Sequence, residues 1–388
     1  MRVLHLTTEF PPVIWGGLGT AVGGVVIACA GEGMTVGVLL VGGVLLADGA
    51  YSGWRPAPPE TTPGGLGRIA ATSDGITFFH VAPADGVEVG LRLARTWRPD
   101  VIHLHSSWLW PVASAIREDC GTPIVFTVHS LDRAEYEWGG FVTQWEPQEA
   151  VIHAVDRIIA ISKSERDLLT SYCPAVSQRV RVIGNGIDDT SIARASAHRH
   201  RSGAPLVMFS GRFVDRKGIH ELFEAIPYVL DAEPDTRFML VGGYGAASDV
   251  ERVWRAGALL AYHEKIRFTG WLRPAAVTQC YCDADVLVVP SWYEPFGMVV
   301  LEGMLHGLAI AATAIGGPAE ILENETTGLF FPPRNADALG AALLRLVRDP
   351  DLRQRLGAAA AVAVRRIWLW PQIIVDIRSV YNEVANAA

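Results

Sequence analysis

A chain of 388 residues, 50% hydrophobic and 19% charged, is too long for one ordinary core and too apolar to be disordered, so two globular domains are the starting expectation. Its net charge of −8 argues against a nucleic-acid binder that works by neutralising phosphates. The five cysteines, Cys29, Cys120, Cys173, Cys280 and Cys282, include no CxxC pair and no histidine partner at zinc spacing, and read as small buried hydrophobes in a reducing compartment.

Arg2–Thr7 reads as an apolar strand and not as a signal peptide. The most apolar stretch, 34–46, is shorter than the ~20 residues a spanning helix needs and is interrupted by glycines, so a cytoplasmic chain without a transmembrane anchor is expected. After the first strand come a loop with two prolines, a Gly-rich turn up to Gly19, a helix capped by Thr20 and running to about Gly31, and a strand at Thr35–Val41. That is a βαβ unit. The stretch 47–75 is rich in Pro and Gly and is expected to be irregular. Strands follow at Thr77–Val81, Val101–His105, Ile124–His129, Arg157–Ile161 and Val180–Ile183, with helices such as Val87–Thr96 and Trp110–Cys120 between them. Such alternation implies a parallel, doubly wound sheet.

The polar run from 196 to 204 has no apolar periodicity and is expected to be a linker. Its basic residues leave room for peripheral contact with an anionic membrane surface, although a solvated linker is the simpler reading. A second alternating series then begins: strands at Leu206–Ser210, Arg237–Val241, Ile266–Thr269, Val286–Val289, Ala309–Ala312 and Leu329–Phe331, with helices at Gly218–Asp231, Val299–His306 and Asp337–Val347. The expected organisation is an N-terminal Rossmann-like domain (1–195), a linker (196–204), a C-terminal Rossmann-like domain (205–365) and a terminal helix (366–388), kinked at Pro371, that packs back on the first domain. Two α/β sheets of this kind are expected to face across a ligand-binding cleft.

The most informative segment is Ser291-Trp-Tyr-Glu-Pro-Phe-Gly-Met-Val-Val-Leu-Glu302, which leaves an apolar strand and enters a helix. If mostly helical, Glu294 and Glu302 stand ~12 Å apart. That is too far for the roughly 5 Å carboxylate pair of a retaining glycosidase, and suits the two ends of one elongated ligand. The backbone N–H groups of Phe296, Gly297, Met298 and Val299 at the helix start favour a diphosphate between those ends. Arg212 and Lys217 follow the first strand of the second domain and combine a donor fork with a point cation, a pairing that neutralises pyrophosphate. Arg216, between them, reads as one of a surface pair on a turn. Gly16 and Gly17 would let backbone approach a ligand closely. His129 ends an apolar run and belongs at the carboxyl edge of the first sheet. Val241-Gly-Gly-Tyr-Gly-Ala-Ala-Ser248 mimics a dinucleotide fingerprint only in part and is weak evidence for NAD.

The segment 291–302 resembles the E-x7-E signature of the retaining glycosyltransferases of the GT-B fold, in the large family 4 (glycosyl transferases group 1), with a more distant likeness to glycogen and starch synthases. Ser210-Gly-Arg-Phe-Val-Asp-Arg-Lys-Gly218 resembles the family's GR-x4-KG loop. Gly316-Gly-Pro-Ala-Glu-Ile321, Gly328-Leu-Phe-Phe-Pro332, Trp15-Gly-Gly-Leu18 and Val182-Ile-Gly-Asn-Gly-Ile-Asp188 resemble its other loops, in the family's order. Gly184 stands where the family usually has proline.

The resemblance implies a retaining hexosyltransferase that moves a hexose from a UDP-sugar, with UDP-glucose the first donor to try, to a saccharide, lipid-linked or natural-product acceptor. Arg212 and Lys217 would hold the donor diphosphate, Gly16 and Gly17 would approach it, Glu302 would bind the ribose, and Glu294, the amides of 296–299 and His129 would orient the sugar. The base would lie near Leu272. His105 and Trp108 resemble an acceptor-side loop that lacks the family's usual Asp. No cofactor and no metal are expected, since cationic side chains and helix ends would do the work of a divalent ion. A sugar-nucleotide epimerase of the same fold and a catalytically silent nucleotide-sugar-binding protein are the competing readings.

Overall fold

The computed structural model describes the chain except residues 12, 13, 15, 43–54, 57–67, 72–75, 141, 198–202, 244–248 and 388. Most of the 47–75 stretch, Trp15, the centre of the expected linker and the end of the Val241–Ser248 turn therefore lie outside the described residues. By contacts the chain divides into two units: Met1–Arg133 with Gln144–Gly186 and Trp370–Ala388, and Ala134–Thr143 with Ile187–Leu369.

The first unit holds β1 (Arg2–Thr7), β2 (Thr35–Val41), β3 (Arg55–Pro56), β4 (Arg68–Ala71), β5 (Ile76–Val81), β6 (Val101–Leu104), β7 (Ile124–Val128), β8 (Arg157–Ala160) and β9 (Val180–Val182). They form one sheet in the order β3-β4-β5-β2-β1-β6-β7-β8-β9. The pairs β3–β4 and β4–β5 are antiparallel and the rest parallel. The central strands are short apolar runs, buried along almost their whole length, as expected of a parallel sheet covered on both faces. β3 and β4 add antiparallel strands within the stretch that composition marks as irregular.

The helix Gly17–Gly31 starts three residues before the expected cap. Gly16 is its N-cap, in extended backbone, and Thr20 lies inside the first turn. The terminal helix Trp370–Ala385 belongs to this unit, and Pro371 does not kink a continuous helix. One helix ends at Ile367 and the next begins at Trp370, so the proline sits in a first turn, where its missing N–H costs nothing. The indole of Trp370 docks where Gly24 and Gly186 have no side chain; a Cβ on Gly24 would come within 2.0 Å of its Nε1. Arg157 and Arg181 both donate to Glu383 and fasten the other end of the helix.

The second unit holds β10 (Leu206–Gly211), β11 (Arg237–Gly242), β12 (Ile266–Gly270), β13 (Val286–Val289), β14 (Ala309–Thr313) and β15 (Leu329–Phe331), all parallel in the order β12-β11-β10-β13-β14-β15. Its core is built from these strands and the apolar faces of helices Ile219–Ala232, Ala336–Arg348 and Pro350–Ile367. The change of unit falls at Gly186/Ile187, ahead of the expected 196–204 linker. The reason is the helix Ser191–Ala197, which buries Ala193 and Ser196 and packs on the second unit's own helices. In each sheet the chain order reverses beside the first strand, between β1 and β6 and between β10 and β13. The carboxyl ends of strands at such a reversal are where open α/β sheets bind ligands.

Candidate active site

In the second unit, the loops that leave the two strands of the reversal carry the expected residues. The loop after β10 begins with half-buried Arg212 and closes in a single turn, Asp215–Lys217. Gly218 follows at φ +67, where a Cβ would meet the Pro290 carbonyl at 1.9 Å, so only glycine lets this loop lie against the one after β13. The second loop, Pro290–Gly297, is held from both sides. The backbone N–H of Trp292 donates to the Arg216 carbonyl, and Thr313, at the end of β14, donates its hydroxyl to the Ser291 carbonyl. The Gly317 N–H donates to the Glu294 carbonyl. A Cβ on Gly317 would meet the Phe296 carbonyl at 1.9 Å, and one on Gly316, at φ +55, the Glu294 carbonyl at 2.3 Å.

This packing puts Glu294 and Lys217 together. The Lys217 ammonium donates to Glu294 Oε2 at 2.5 Å, and Ser291 Oγ donates to the same oxygen at 3.0 Å. Burial alone would raise the Glu294 carboxyl, but the Lys217 and Arg216 charges outweigh it and hold it below its ordinary value. Burial pulls the Lys217 ammonium below its ordinary value against the opposing pull of Glu294, and the contact sets a basic and an acidic side chain together at the sheet edge. Arg216 does not sit on the surface as the sequence reading had it. It is 4% exposed, donates through Nε to Glu135 Oε2 at 2.6 Å and through Nη1 to the Tyr293 carbonyl. Its partner belongs to the segment Ala134–Thr143, which the chain contributes to this unit from far away in sequence. Arg216 thus laces the two loops together.

Gly297, at φ +99, turns the chain into the helix Met298–Leu305. The Val300 N–H bonds to the Gly297 carbonyl, so the amides of 296–299 lie at the helix start, ahead of its first bonded N–H. Glu302, one turn further, is half-buried and accepts from Tyr281 Oη at 2.6 Å. Burial pushes its carboxyl up to about 7, offset only in part by the tyrosine. Tyr281 is 2% exposed on the helix Pro274–Asp283 and stacks on His306. Sequence reasoning missed Tyr281 and Ser291. For Tyr281 no local signal existed, since it lies on a helix 21 residues before its partner. Leu272 is half-buried in the loop after β12.

In the first unit, Gly16 and Gly17 are exposed after β1, and a Cβ on Gly16 would meet no atom of the described residues within 4 Å. Trp108 is 84% exposed in the turn after β6. His105 has to be revised as an acceptor ligand. It is 4% exposed, with one ring nitrogen 3.0 Å from His5 and the other 3.1 Å from His129. His103 is likewise enclosed, bonded to the Tyr381 and Thr127 hydroxyls. His129 is half-buried one residue beyond β7, at the carboxyl edge, as expected. His5, His103 and His105 have ligand atoms within 4.8 Å of one another, the one cluster at metal-ligand spacing among the described residues. Apart from His5 Nε2, those nitrogens already bond to one another, to His129, to Thr127 or to Tyr381, so a metal would have to displace these bonds.

The family model for Glycosyltransferase Family 4 matches residues 15–191, and that for Glycosyl transferases group 1 matches 193–362. A curated glycogen synthase of Mycobacterium tuberculosis is 30% identical over 401 residues, covering 98% of this chain and 94% of the relative. The chain belongs to the group 1, family 4 glycosyltransferases. Solved structures agree on the fold. The UDP-glucose complex of Anabaena HepE superposes with a TM-score of 0.73 at 18% identity, covering 99% of this chain and 100% of that one. The catalytic domain of Arabidopsis thaliana starch synthase IV, bound to ADP and acarbose, gives 0.76 at 17% identity and 99% coverage of both. This glycosyltransferase is therefore a GT-B protein of two Rossmann-like units, and among its described residues no helix is long and apolar enough to cross a membrane.

Proposed function

We propose that the chain is a retaining hexosyltransferase that takes a hexose from a nucleoside diphosphate sugar, with UDP-glucose as first candidate, and transfers it to a saccharide, lipid-linked or small-molecule acceptor. The observation that carries this reading is the buried Lys217–Glu294 contact, beside Arg212 at the carboxyl ends of β10 and β13. A pyrophosphate would draw on Lys217, Arg212 and the amides of 296–299, while Glu294, no longer held by lysine alone, accepts from sugar hydroxyls. Glu302 sits one helical turn past those amides, on the side where a ribose would follow. Departure of the diphosphate leaves an oxocarbenium-like centre, and the acceptor attacks the face the phosphate vacated. The leaving phosphate takes the acceptor proton. Catalysis comes from positioning and charge stabilisation, and we expect turnover without a divalent metal.

The glycogen synthase relative and the ADP-bound starch synthase make ADP-glucose the donor to test beside UDP-glucose, with glycogen, maltooligosaccharides and sugar phosphates as first acceptors. The test is a panel of nucleotide sugars with each acceptor, with and without EDTA. Release of nucleoside diphosphate with a product of the donor's anomeric configuration is the expected result. Formation of an epimeric nucleotide sugar, or binding without turnover, would replace the reading with one of its competitors.

A further inference from the structure

The first unit carries a row of histidines that the donor site does not use. His5 on β1 stands in register with His103 on β6, and His103 with Val125 on β7. Because alternate residues of a strand share a face, His5, His103, His105, Thr127 and His129 fall on one side of the sheet. The helices Gly17–Gly31 and Trp370–Ala385 cover that side and line, with His105 and His129, a cavity with room for about one water. Within this row, His5 Nδ1 is 3.0 Å from His105 Nε2, and His105 Nδ1 is 3.1 Å from His129 Nε2. The His5 Nε2 atom is buried and has no partner.

A neutral imidazole carries one N–H and one lone pair. Burial holds His5 down to about 3 and His129 to about 4, and burial followed by its histidine neighbours holds His105 well below its ordinary value. All three are neutral at pH 7. His105 uses both nitrogens and has one proton to give, so the two ring-to-ring bonds must point the same way. If both point inward, His5 Nε2 is a buried N–H with nothing to donate to. If both point outward, it is a bare lone pair. For backbone groups an orphaned buried N–H is rarer than an under-satisfied acceptor, and the same preference applied to the imidazole favours the outward polarity.

We infer that His5 and His105 are positioning residues that lock His129 as its Nδ1–H tautomer, so that this histidine offers the ligand a hydrogen-bond donor and not an acceptor. His5 Nδ1–H donates to His105, and His105 Nδ1–H donates to His129 Nε2. The remaining proton of His129 is on the nitrogen that has no partner among the described residues. A donor there recognises a hydroxyl oxygen or an anionic oxygen of the bound sugar nucleotide. This rests on the expectation, drawn from the family resemblance, that His129 helps to orient the donor sugar.

The tautomer is read directly on the full-length enzyme, with ring-15N histidine and long-range 1H–15N correlation at pH 7.5. The expected spectrum has Nε2 of His129 unprotonated and Nδ1 protonated, with the same assignment for His105. An Nε2–H tautomer at His129 would overturn the inference whatever the activity. In His105→Leu, His129 loses its enforced partner, its two tautomers mix, and kcat with the turned-over donor falls about tenfold while the melting profile stays cooperative. His105→Gln can still donate an amide N–H to His129 and should keep the Nδ1–H tautomer and most of kcat. Should His105→Leu misfold, the wild-type spectrum and the His105→Gln variant still decide the matter. If His129→Ala turns over like wild type, the sugar contact is wrong, and the tautomer is decided by the wild-type spectrum alone. If His129→Ala is impaired but His105→Leu leaves the His129 spectrum unchanged, the relay alone fails.

Discussion

Replacing Glu302 by glutamine should make the protein more stable and a poorer donor binder at once. In the free enzyme, burial raises this carboxyl from its ordinary 4.5 to about 7. A raised folded-state pKa means that Glu302 favours the fold most below pH 4.5, and that this contribution is lost as pH rises through 7. The shift is worth about 3 kcal/mol at most once the group is ionised. Glutamine keeps the shape and can still accept from Tyr281, but cannot ionise. Calorimetry should therefore show a gain in melting temperature of several degrees at pH 8, at roughly 2–4 °C per kcal/mol for a domain of this size. The gain should shrink to a small part of that at pH 5. Donor affinity should move the other way: hydrogen bonds to a charged group are worth roughly 1.5–3 kcal/mol, so Kd at pH 8 should rise about 10- to 100-fold. Wild-type affinity should also strengthen as pH rises through 7, because the ligand hydroxyls favour the ionised carboxylate. A stability gain equal at pH 5 and pH 8 would refute the burial argument, and unchanged donor affinity would refute the ribose role.

The other predictions concern the loops. Glu294→Gln and Lys217→Ala each break a buried ion pair and should lower turnover by at least about 100-fold, with a stability loss of up to about 3–5 kcal/mol by urea denaturation. Near-wild-type rates in either variant would remove both residues from the site. Gly16→Ala meets no atom of the described residues and should fold with an unchanged melting temperature; a turnover loss then reports close approach of the ligand, and full activity would argue against it. Gly317→Ala forces a Cβ into the Phe296 carbonyl and should cost turnover more than about 1–3 kcal/mol of overpacking would suggest, because it displaces the Glu294 loop. Gly24→Ala strikes the Trp370 indole and should destabilise the first unit by about 1–3 kcal/mol while leaving donor affinity unchanged.

What was legible in the sequence was chemistry that sits on consecutive residues at strand ends. The runs Val286–Val289 and Leu206–Gly211 are apolar enough to be strands, and their following loops are short, so Arg212, Lys217 and Glu294 could be placed at a sheet edge without coordinates. Partnerships made across the fold were not legible. Arg216 reads as an exposed charge until Glu135 is seen beside it, and nothing between the two in sequence signals that the chain lends 134–143 to the second unit. His5 looks like an anomaly in an apolar strand. Its meaning depends on parallel register, which brings three strands separated by helices side by side. The cap at Thr20 failed for a different reason: Gly16 has no side chain to accept an N–H, yet its extended backbone starts the helix a turn earlier than side-chain capping rules suggest.

The glycines of the second unit explain why a spacing could be so informative. Gly218, Gly316 and Gly317 each stand where a Cβ would collide with a carbonyl of the Pro290–Gly297 loop, so that loop is clamped between the loops after β10 and β14. Such a clamp leaves the backbone around Glu294 little freedom, and a carboxylate bonded to both lysine and serine has little rotamer freedom left. Electrostatic catalysis needs this arrangement, because a charge that must reorganise during the reaction stabilises the transition state less than one already in place. The ordering cost of the site is met during folding by glycine packing and the Arg216–Glu135 pair, and not by the substrate. The same reasoning separates Glu302 from Glu294. Glu294 is ionised in the free protein because cations surround it, whereas Glu302 has only a tyrosine and titrates near neutrality. On the proposed reading, with a diphosphate and two sugars along one line, the fixed charge would stand where charge develops and the adjustable charge where only hydroxyls are read.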